Sequence, residues 1–229
     1  MMESTLTIKS ILENEQIKLQ SKINLENKID IRNLQVIAGV DLAYWKQEDK
    51  EYACCCIVVL DFNDLSIKEK KYCVGEITVP YIPGCLAFRE YELVEKTVGL
   101  LENKVDLFVF DGNGYLHPRH MGLATYAGIM LRKPSIGVAK SFYKFAEVDY
   151  SDLPDEKNAH KDIIINGEVY GKVMRTHKGV KPVFVSIGNM ISLDITTQIV
   201  KLTVSDESHI PIPTRYADIM THEIRKKYI

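Results

Sequence analysis

The sequence lacks a long apolar run, and this absence limits where the protein can work. Across 229 residues no stretch approaches the roughly 20 apolar residues that a bilayer-spanning helix needs. The opening segment, MMESTLTIKS, has no basic start followed by an apolar run, so a secretory signal is not expected. We therefore expect a cytoplasmic protein without a membrane partner.

The sequence lacks cysteines at the spacings that bind metal ions. The chain has five cysteines, and none of them form the Cys-x-x-Cys spacing of a zinc site. Three are consecutive, Cys54, Cys55 and Cys56. Because neighbouring residues of a strand point to opposite faces, these three cannot form a compact clamp. We expect free thiols that pack as small apolar side chains.

Excess positive charge is also missing. The 29 lysines and arginines are outnumbered by 31 acidic residues, which gives a formal net charge of −2. This balance argues against a protein that binds nucleic acid through overall positive charge, so a polyanion would need a local patch or metal ions. The length, with 46% hydrophobic residues, suits one domain over residues 1–229, expected to act as a monomer.

Apolar periodicity predicts three strands in succession, followed by strands that alternate with helices. The first three, separated by short polar turns, indicate an antiparallel meander. The whole order predicts an α/β fold, a mixed sheet flanked by helices. An exposed loop is expected at 151–162. The predicted strands span about 35–44, 51–62, 66–77, 105–111, 134–140 and 181–188, and the predicted helices span about 5–29, 86–103, 121–131, 193–204 and from 213 onward.

Acidic residues within apolar sequence give the strongest functional signal. Asp41 lies inside VIAGVDLAY, where a carboxylate needs compensation. Asp111 ends VDLFVFD, and ligands of open α/β sheets bind at the carboxyl ends of strands, although a turn aspartate before Gly-Asn-Gly is the simpler interpretation. Glu90 and Asp218 lie in predicted helices and, taken singly, read as solvated residues.

These four carboxylates carry chemical meaning only if the fold brings them together. Crowded carboxylates repel one another unless cations neutralise them, and oxygen ligands without Cys or His select Mg²⁺ or Mn²⁺. Such ions support phosphodiester hydrolysis. His117, just beyond Asp111, could assist proton transfer or contact phosphate. Lys140 ends the strand IGVAK, so its charge should emerge at the same edge of the sheet or simply be solvated.

The segment PYIPG is unlike ordinary loop sequence. Pro80 and Pro83 fix two backbone angles and Gly84 permits a turn, so we expect a stiff tip that presents Tyr81 and Ile82. A rigid apolar wedge can replace a base that is pulled out of a duplex. The alternative is a packed turn that introduces the following helix.

Five ordered blocks resemble the signature blocks of the endonuclease V family, over about Gln35 to Tyr228. They are GVDLAY, PYIPGCLAFRE, FDGNGYLHPRHMGLATYAGIMLRKPSIGVAKS, KPVFVSIGNMISL and PTRYAD. The resemblance implies an RNase H-like fold and a Mg²⁺-dependent endonuclease of DNA repair, in which Mn²⁺ substitutes. It also implies a nick at the second phosphodiester bond 3′ to deoxyinosine, which leaves a 3′-hydroxyl and a 5′-phosphate.

The resemblance further implies roles for individual residues. The implied catalytic residues are Asp41, Glu90, Asp111, His117, Lys140 and Asp218, and the four acidic ones would bind metal. Asp218 occupies a position that is His or Asp in the family. The implied strand-separating wedge is Pro80, Tyr81, Ile82 and Pro83, and the implied base pocket consists of backbone groups of Gly84, Leu86, Gly112 and Gly137. The implied phosphate-binding residues are Arg119, Lys140, Lys178 and Arg215, with Lys181 as a further candidate.

The sequence departs from the family blocks in three places. His120 stands where a second Arg is expected, Thr125 and Tyr126 replace Ser-His, and Asn189 stands where His is common. These differences concern phosphate contacts and leave the carboxylate set intact.

Two rival interpretations stay open. One is another RNase H-like nuclease, such as the nuclease domain of nucleotide-excision repair proteins, and PYIPG argues against it. The other is a nucleic-acid-binding module without activity, which would gain by losing buried negative charge. No motif reads a 2′-hydroxyl, so inosine-containing RNA is an alternative to DNA as substrate.

Overall fold

The computed structural model of the protein describes residues 2–206 and 208–229, and eight strands form one mixed sheet in it. The strands are β1 (Val36–Gln47), β2 (Lys50–Asp61), β3 (Ile67–Glu76), β4 (Leu107–Asp111), β5 (Ser135–Ala139), β6 (Ala159–Ile165), β7 (Glu168–Arg175) and β8 (Val183–Asn189). The helices are α1 (Met2–Leu19), α2 (Leu86–Val98), α3 (Leu123–Leu131), α4 (Leu193–Thr203) and α5 (Ile212–Arg225). No helix in these described ranges is long and apolar enough to cross a membrane.

The strand order is β3-β2-β1-β4-β5-β8-β7-β6, with β1, β4 and β5 parallel and the other neighbours antiparallel. The predicted meander is therefore confirmed in β1 to β3. Beyond it, β4 and β5 alternate with helices, as expected of the mixed, RNase H-like α/β class. Because β1 and β4 run parallel side by side, the carboxyl end of β4 lies beside the middle of β1, with Val40 opposite Phe110.

The sheet separates two apolar layers, and the three consecutive cysteines alternate between them. Cys54 and Cys56 pack in the layer that α4 and α5 cover, and Cys55 packs in the layer that α2 and α3 cover. All three are free and fully buried, as the alternation of strand side chains predicts. Trp45, in the α5 layer, stacks on Tyr228 just beyond α5, with 5.2 Å between ring centroids.

Helix α5 approaches β1 closely because a glycine allows it. A Cβ atom at Gly39 would lie 1.9 Å from the carbonyl oxygen of Pro213, so any larger residue would push the helix away. Asp41 follows two residues later on the same face of β1, and Asp218 follows Pro213 along α5. This close contact sets the distance between the strand carboxylate and the helix carboxylate.

The prediction of an exposed loop at 151–162 is wrong in part, because the end of this segment belongs to a hairpin of β6 and β7. Residues 159–162 belong to β6, and Leu153 is buried in a third apolar cluster. Apolar periodicity misses β6 because it is an edge strand with one fully buried residue, Ile163. The Asn166-Gly167 pair, both with positive φ, is the hairpin signal that identifies these strands in the sequence.

The N-terminal helix is shorter than the predicted 5–29. Helix α1 ends at Leu19 and one 3₁₀ turn continues it to Lys22. The chain beyond is held in extended form, since Met190 N donates to Asn24 O (2.7 Å) and Lys28 N donates to Met190 O (3.0 Å). The Asn24 side chain also accepts from Glu26 N, and such local hydrogen bonds compete with helix formation.

Candidate active site

Three of the predicted carboxylates converge at one edge of the sheet. Asp41 on β1, Asp111 at the end of β4 and Asp218 on α5 each place a carboxylate oxygen within 4.8 Å of the others. Asp41 and Asp111 lie on the same face of their strands as the apolar residues that contact α5. The parallel register of β1 and β4 and the close approach of α5 at Gly39 together produce this carboxylate triad.

Lys140 follows β5 and bridges two members of the triad. Its Nζ lies 2.6 Å from Asp111 Oδ2 and 3.0 Å from Asp218 Oδ1. Burial alone would lower the pKa of Lys140, but the bonds to these two carboxylates outweigh it and raise the pKa. Lys140 is therefore a permanent positive charge that offsets part of the negative charge of the triad.

Burial opposes the ionisation of the acidic residues in this cleft. It raises the pKa of Asp41 to about 7, with the charges of Asp111 and Asp218 adding to the effect and Lys140 opposing it. Burial also raises the pKa of Asp111, against the bond from Lys140. A divalent cation would relieve this repulsion. The donor set of carboxylate oxygens without Cys or His fits Mg²⁺ or Mn²⁺.

Glu90 lines the same cleft but stands outside the triad. Its side chain, on α2, is buried, and its Oε1 accepts a 2.5 Å hydrogen bond from the hydroxyl of Tyr44. Burial raises the pKa of Glu90 to about 7, and the Tyr44 bond opposes this. The Arg89 guanidinium stacks 4.8 Å over the Tyr44 ring and pairs with Glu51. Tyr44 and Arg89 thus fix Glu90. They lie in the blocks GVDLAY and PYIPGCLAFRE, but the sequence alone indicates no role for them.

Helix α5 supplies three further residues that the sequence interpretation missed. Thr221, His222 and Arg225 line the cleft together with the triad. The Thr221 hydroxyl lies 3.1 Å from Asp41 Oδ2, and His222 Nε2 lies 3.9 Å from Asp218 Oδ1. Their spacing of three, four and seven residues after Asp218 places them on one helix face, which is the signal that identifies them.

A separate cavity of about 170 Å³ opens beside the cleft, between the PYIPG segment and the loop that follows β4. Its walls include Tyr81, Gly84, Leu86, Gly112, His117 and Met121. Asp111 lines both this cavity and the carboxylate cleft. A group bound in the cavity is therefore adjacent to the triad.

Three of the four residues predicted to form the base pocket line the cavity. The fourth, Gly137, packs behind the loop that forms part of its wall. Gly84, Leu86 and Gly112 contribute directly to the wall. A Cβ atom at Gly137, in β5, would come within 2.6 Å of Gly112 O and Gly114 N. Gly137 thus lets the loop after β4 lie close against the sheet.

His117 faces the cavity, and both ring nitrogens are engaged. Its Nδ1 lies 3.2 Å from Arg119 N and 3.3 Å from Met121 N, which are donors. Nε2 therefore carries the proton and donates to Gly84 O at 3.0 Å. Burial, followed by the charge of Arg119, lowers the pKa of His117 to about 3. His117 is a neutral ring at neutral pH, held in one tautomer by the backbone.

The PYIPG segment ends in a tight turn. Cys85 N donates to Ile82 O at 2.9 Å, with Pro83 and Gly84 (φ +80°) at the central positions, as in a type II turn. Tyr81 is 68% exposed, whereas Ile82 is 4% exposed. The prediction that both residues are presented at the tip is wrong for Ile82, which points inward and anchors the turn in the apolar interior.

The predicted phosphate-binding residues other than Lys140 are dispersed. Arg119 pairs with Glu13 on α1 at 3.0 Å. Lys178 is exposed between β7 and β8, and Arg215 is half-buried near the start of α5. The residues described as lining the cleft and the cavity include neither Lys178 nor Arg215.

The departures from the family blocks have structural roles. Asn189 accepts from Asn24 N and donates to Gly128 O, which ties the N-terminal segment to α3. His120 stacks on Tyr115 with 3.9 Å between ring centroids. Tyr126 packs edge-on against Tyr91 of α2.

Comparisons with known proteins show the family and the fold. The Endonuclease V family model matches residues 17–219. Endonuclease V of Bacillus thuringiensis is 51% identical over 212 residues, covering 93% of this chain and 90% of the relative. The crystal structure of the Bacillus subtilis protein has a TM-score of 0.90 at 46% identity, covering 93% of this chain and 90% of that one. Ciona intestinalis endonuclease V in complex with DNA containing an inosine has a TM-score of 0.88 at 28% identity, covering 97% of this chain and 100% of that one.

An acidic cleft at the strand ends of a mixed sheet, in a fold shared with these nucleases, defines a hydrolase that cleaves phosphodiester bonds. The chain belongs to the endonuclease V family.

Proposed function

We propose that the protein is a DNA-repair endonuclease that recognises deoxyinosine and nicks the strand at the second phosphodiester bond 3′ to it. One observation carries the proposal: Asp111 lines both the cavity and the carboxylate cleft. A base held in the cavity would therefore fix its own strand across the hydrolytic residues. The Ciona relative was crystallised with DNA containing an inosine followed by a ribo-adenosine, which supports inosine as the recognised nucleoside.

Mg²⁺ is the proposed cofactor, with Mn²⁺ as a substitute. Asp41, Asp111 and Asp218 would hold it, with Glu90 in the same cleft. When bound, such an ion supplies an activated water and neutralises charge on the phosphate. Lys140 keeps Asp111 and Asp218 oriented, and its charge draws the phosphate into an otherwise acidic cleft.

Base selection is proposed to rely on backbone groups. Deamination of adenine replaces an amine donor with a carbonyl acceptor and adds a proton to the neighbouring ring nitrogen. Fixed groups of the cavity wall, namely the N–H groups of Gly84 and Leu86 and the C=O of Gly112, can match this pattern and leave adenine with unpaired polar groups. His117 would act by holding this wall, since its ring nitrogens bind the backbone.

The exposed Tyr81 ring is proposed to fill the space that the flipped base leaves, with Pro80 and Pro83 stiffening the wedge and Ile82 anchoring it. A mispaired base is easier to extrude, which adds selectivity. Arg119, Lys178, Lys181 and Arg215 are proposed to contact the flanking backbone of the strand, and the enzyme is proposed to work as a monomer.

The test is cleavage of matched oligonucleotides, DNA and RNA, with and without inosine, in Mg²⁺ and in chelator. We expect a nick in inosine-containing DNA only with the metal, with a 3′-hydroxyl and a 5′-phosphate at the stated bond. Preferential cleavage of the RNA would reassign the substrate. Absence of cleavage in every arm would refute the proposal.

A further inference from the structure

The carbonyl oxygen of Gly84 accepts hydrogen bonds from three side chains. The donors are Gln16 Nε2 at 2.8 Å, His117 Nε2 at 3.0 Å and Arg119 Nη2 at 3.1 Å. A carbonyl has two lone pairs, so three converging donors leave this oxygen no freedom to move. We call these three donors the Gly84 clamp. It lies directly behind the turn that carries Tyr81.

Every hydrogen-bonding group of the Gln16 side chain is in use. Its side chain is fully buried. The amide donates to Gly84 O and, at 3.2 Å, to Met121 O, while Oε1 accepts from Arg119 Nε at 2.5 Å. A buried amide whose partners are all fixed holds them in one arrangement.

The two carbonyls that Gln16 joins belong to opposite sides of the cavity. Gly84 closes the wedge turn, and Met121 lies on the loop after β4, and both residues line the cavity. One amide nitrogen therefore spans from the wedge to the far wall. The two hydrogen bonds from this single nitrogen hold the wedge turn, which would open a duplex, at a fixed distance from the wall that would receive the base.

Helix α1 gives little else to the apolar interior. Leu6, Ile11 and Ile17 are exposed, and Leu19 is the one apolar residue among positions 6–19 that is buried. Two further polar links run to Arg119. Glu13 of α1 pairs with it at 3.0 Å, and Gln20 Nε2, in the 3₁₀ turn that follows α1, donates to Arg119 O at 3.1 Å. The burial of a polar residue on so exposed a helix points to the clamp as the contribution of α1.

We infer that Gln16 is a positioning residue that keeps the Tyr81 wedge in register with the base cavity, so that strand opening and base capture occur together. This inference rests on the proposed function. It assigns a role in recognition to a residue that lies before the family blocks and before the matched span of the family model.

The test compares Gln16→Met with Gln20→Met, because Met preserves the length and shape of Gln and removes its amide. Gln20 is the matched control, one turn further along the same helix region and bonded to Arg119 but not to Gly84. Each variant is assayed on inosine-containing duplex and on the same strand alone. A single strand needs no opening, so it reports on base binding and hydrolysis without the wedge.

For Gln16→Met we expect the ratio of duplex to single-strand cleavage to fall about ten-fold, the effect of misplacing a recognition element. For Gln20→Met we expect the ratio to change by less than about two-fold. Fluorescence of 2-aminopurine beside the inosine, measured in chelator, should rise on binding wild type and less on binding Gln16→Met. This second measurement reports base unstacking without cleavage.

An equal fall on both substrates, or no fall, would reduce Gln16 to a tether of α1 and overturn the inference. If Gln16→Met does not fold, Gln16→Glu serves instead, since it can pair with Arg119 but presents an acceptor to both carbonyls. The same ratio then decides the outcome. A wild-type protein inactive on both inosine substrates would instead refute the proposed function.

Discussion

The carboxylate cleft and the base cavity share Asp111, but they are constructed in opposite ways. The cleft is open, about 460 Å³, and formed by charged side chains from α2, β1, β4 and α5. The cavity is smaller, about 170 Å³, and formed largely by glycine backbone and apolar side chains. Hydrogen bonds from side chains outside the cavity, as at Gly84, hold its walls.

Under the proposed function, the cleft performs hydrolysis and the cavity performs recognition. The cleft acts through side-chain oxygens, so removing one side chain removes function directly. The cavity acts through the positions of backbone groups. Its function therefore changes only when a substitution alters the shape of its wall or removes a side chain that supports the wall. The predictions below test this distinction in order of decreasing effect.

Asp41→Ala or Asp111→Ala should lower cleavage by at least about a thousand-fold, since either change removes a proposed ligand of the metal that would support the hydrolysis. Binding of the inosine strand in chelator should survive, because the loss of negative charge does not weaken attraction for a polyanion. Cleavage rates and fluorescence anisotropy check the two statements. Turnover like that of wild type in either variant would contradict the role of the triad.

Lys140→Met should lower kcat by about a hundred-fold, because it removes a charge that bridges Asp111 and Asp218 and faces the phosphate. Lys133→Met is the matched control, since the Lys133 ammonium donates to a backbone carbonyl away from the cleft. Steady-state kinetics on inosine-containing DNA gives the comparison. A change confined to KM would place Lys140 in substrate binding alone.

Gly137→Ala should lower kcat/KM on inosine-containing DNA by about thirty-fold, because the added Cβ pushes the loop of Gly112 away from the sheet. Gly99→Ala is the control, since its nearest contacts would be 3.4 Å or longer. Mg²⁺ affinity, measured by calorimetry, should stay within about two-fold of wild type. A comparable loss of metal affinity would show that cleft and cavity are not separable.

Tyr81→Ala should reduce discrimination between inosine-containing and undamaged duplex by about five-fold, the effect of losing one aromatic contact with a base. Metal affinity and cleavage of the single strand should change less than discrimination does. Ile82→Ala serves as a contrast to Tyr81→Ala. Because Ile82 is buried, its truncation should lower the midpoint of thermal unfolding and leave discrimination unchanged. Unchanged discrimination in Tyr81→Ala would remove the wedge role.

Mg²⁺ at saturating concentration should raise the midpoint of thermal unfolding by a few degrees, since a cation that binds only the folded triad stabilises it. The shift should disappear in Asp111→Ala. Calorimetric scans with Mg²⁺ and with chelator check this. An equal shift in the variant would locate the ion elsewhere.

The elements that carry the triad could be predicted because their patterns are strong. Asp41 and Asp111 stand out as charges in otherwise apolar strands, and α5 is marked by Pro213 and the basic residues at its end. The spacing of residues on α5 also contains Thr221 and Arg225, although they become meaningful only once Asp218 is known to face the cleft.

The supports of the site are harder to find because they depend on tertiary contacts. Sequence patterns give Gln16, within the predicted N-terminal helix, no role, whereas its side chain is fully buried and donates to two carbonyls. Ile82 points inward because of the turn at Pro83 and Gly84, and no residue pattern states that direction. Hydrogen bonds to backbone leave little trace in side-chain chemistry, so sequence patterns show the ligands of a site better than its supports.

The stacking of Trp45 on Tyr228 has a practical consequence. Trp45 is the single tryptophan of the chain, and it lies on the strand of Asp41 beside the end of the helix that carries Asp218. The fluorescence of Trp45 therefore reports on how the end of α5 packs against β1, without an added label. Because nucleic acids emit negligibly, the same signal can be followed in a turnover mixture.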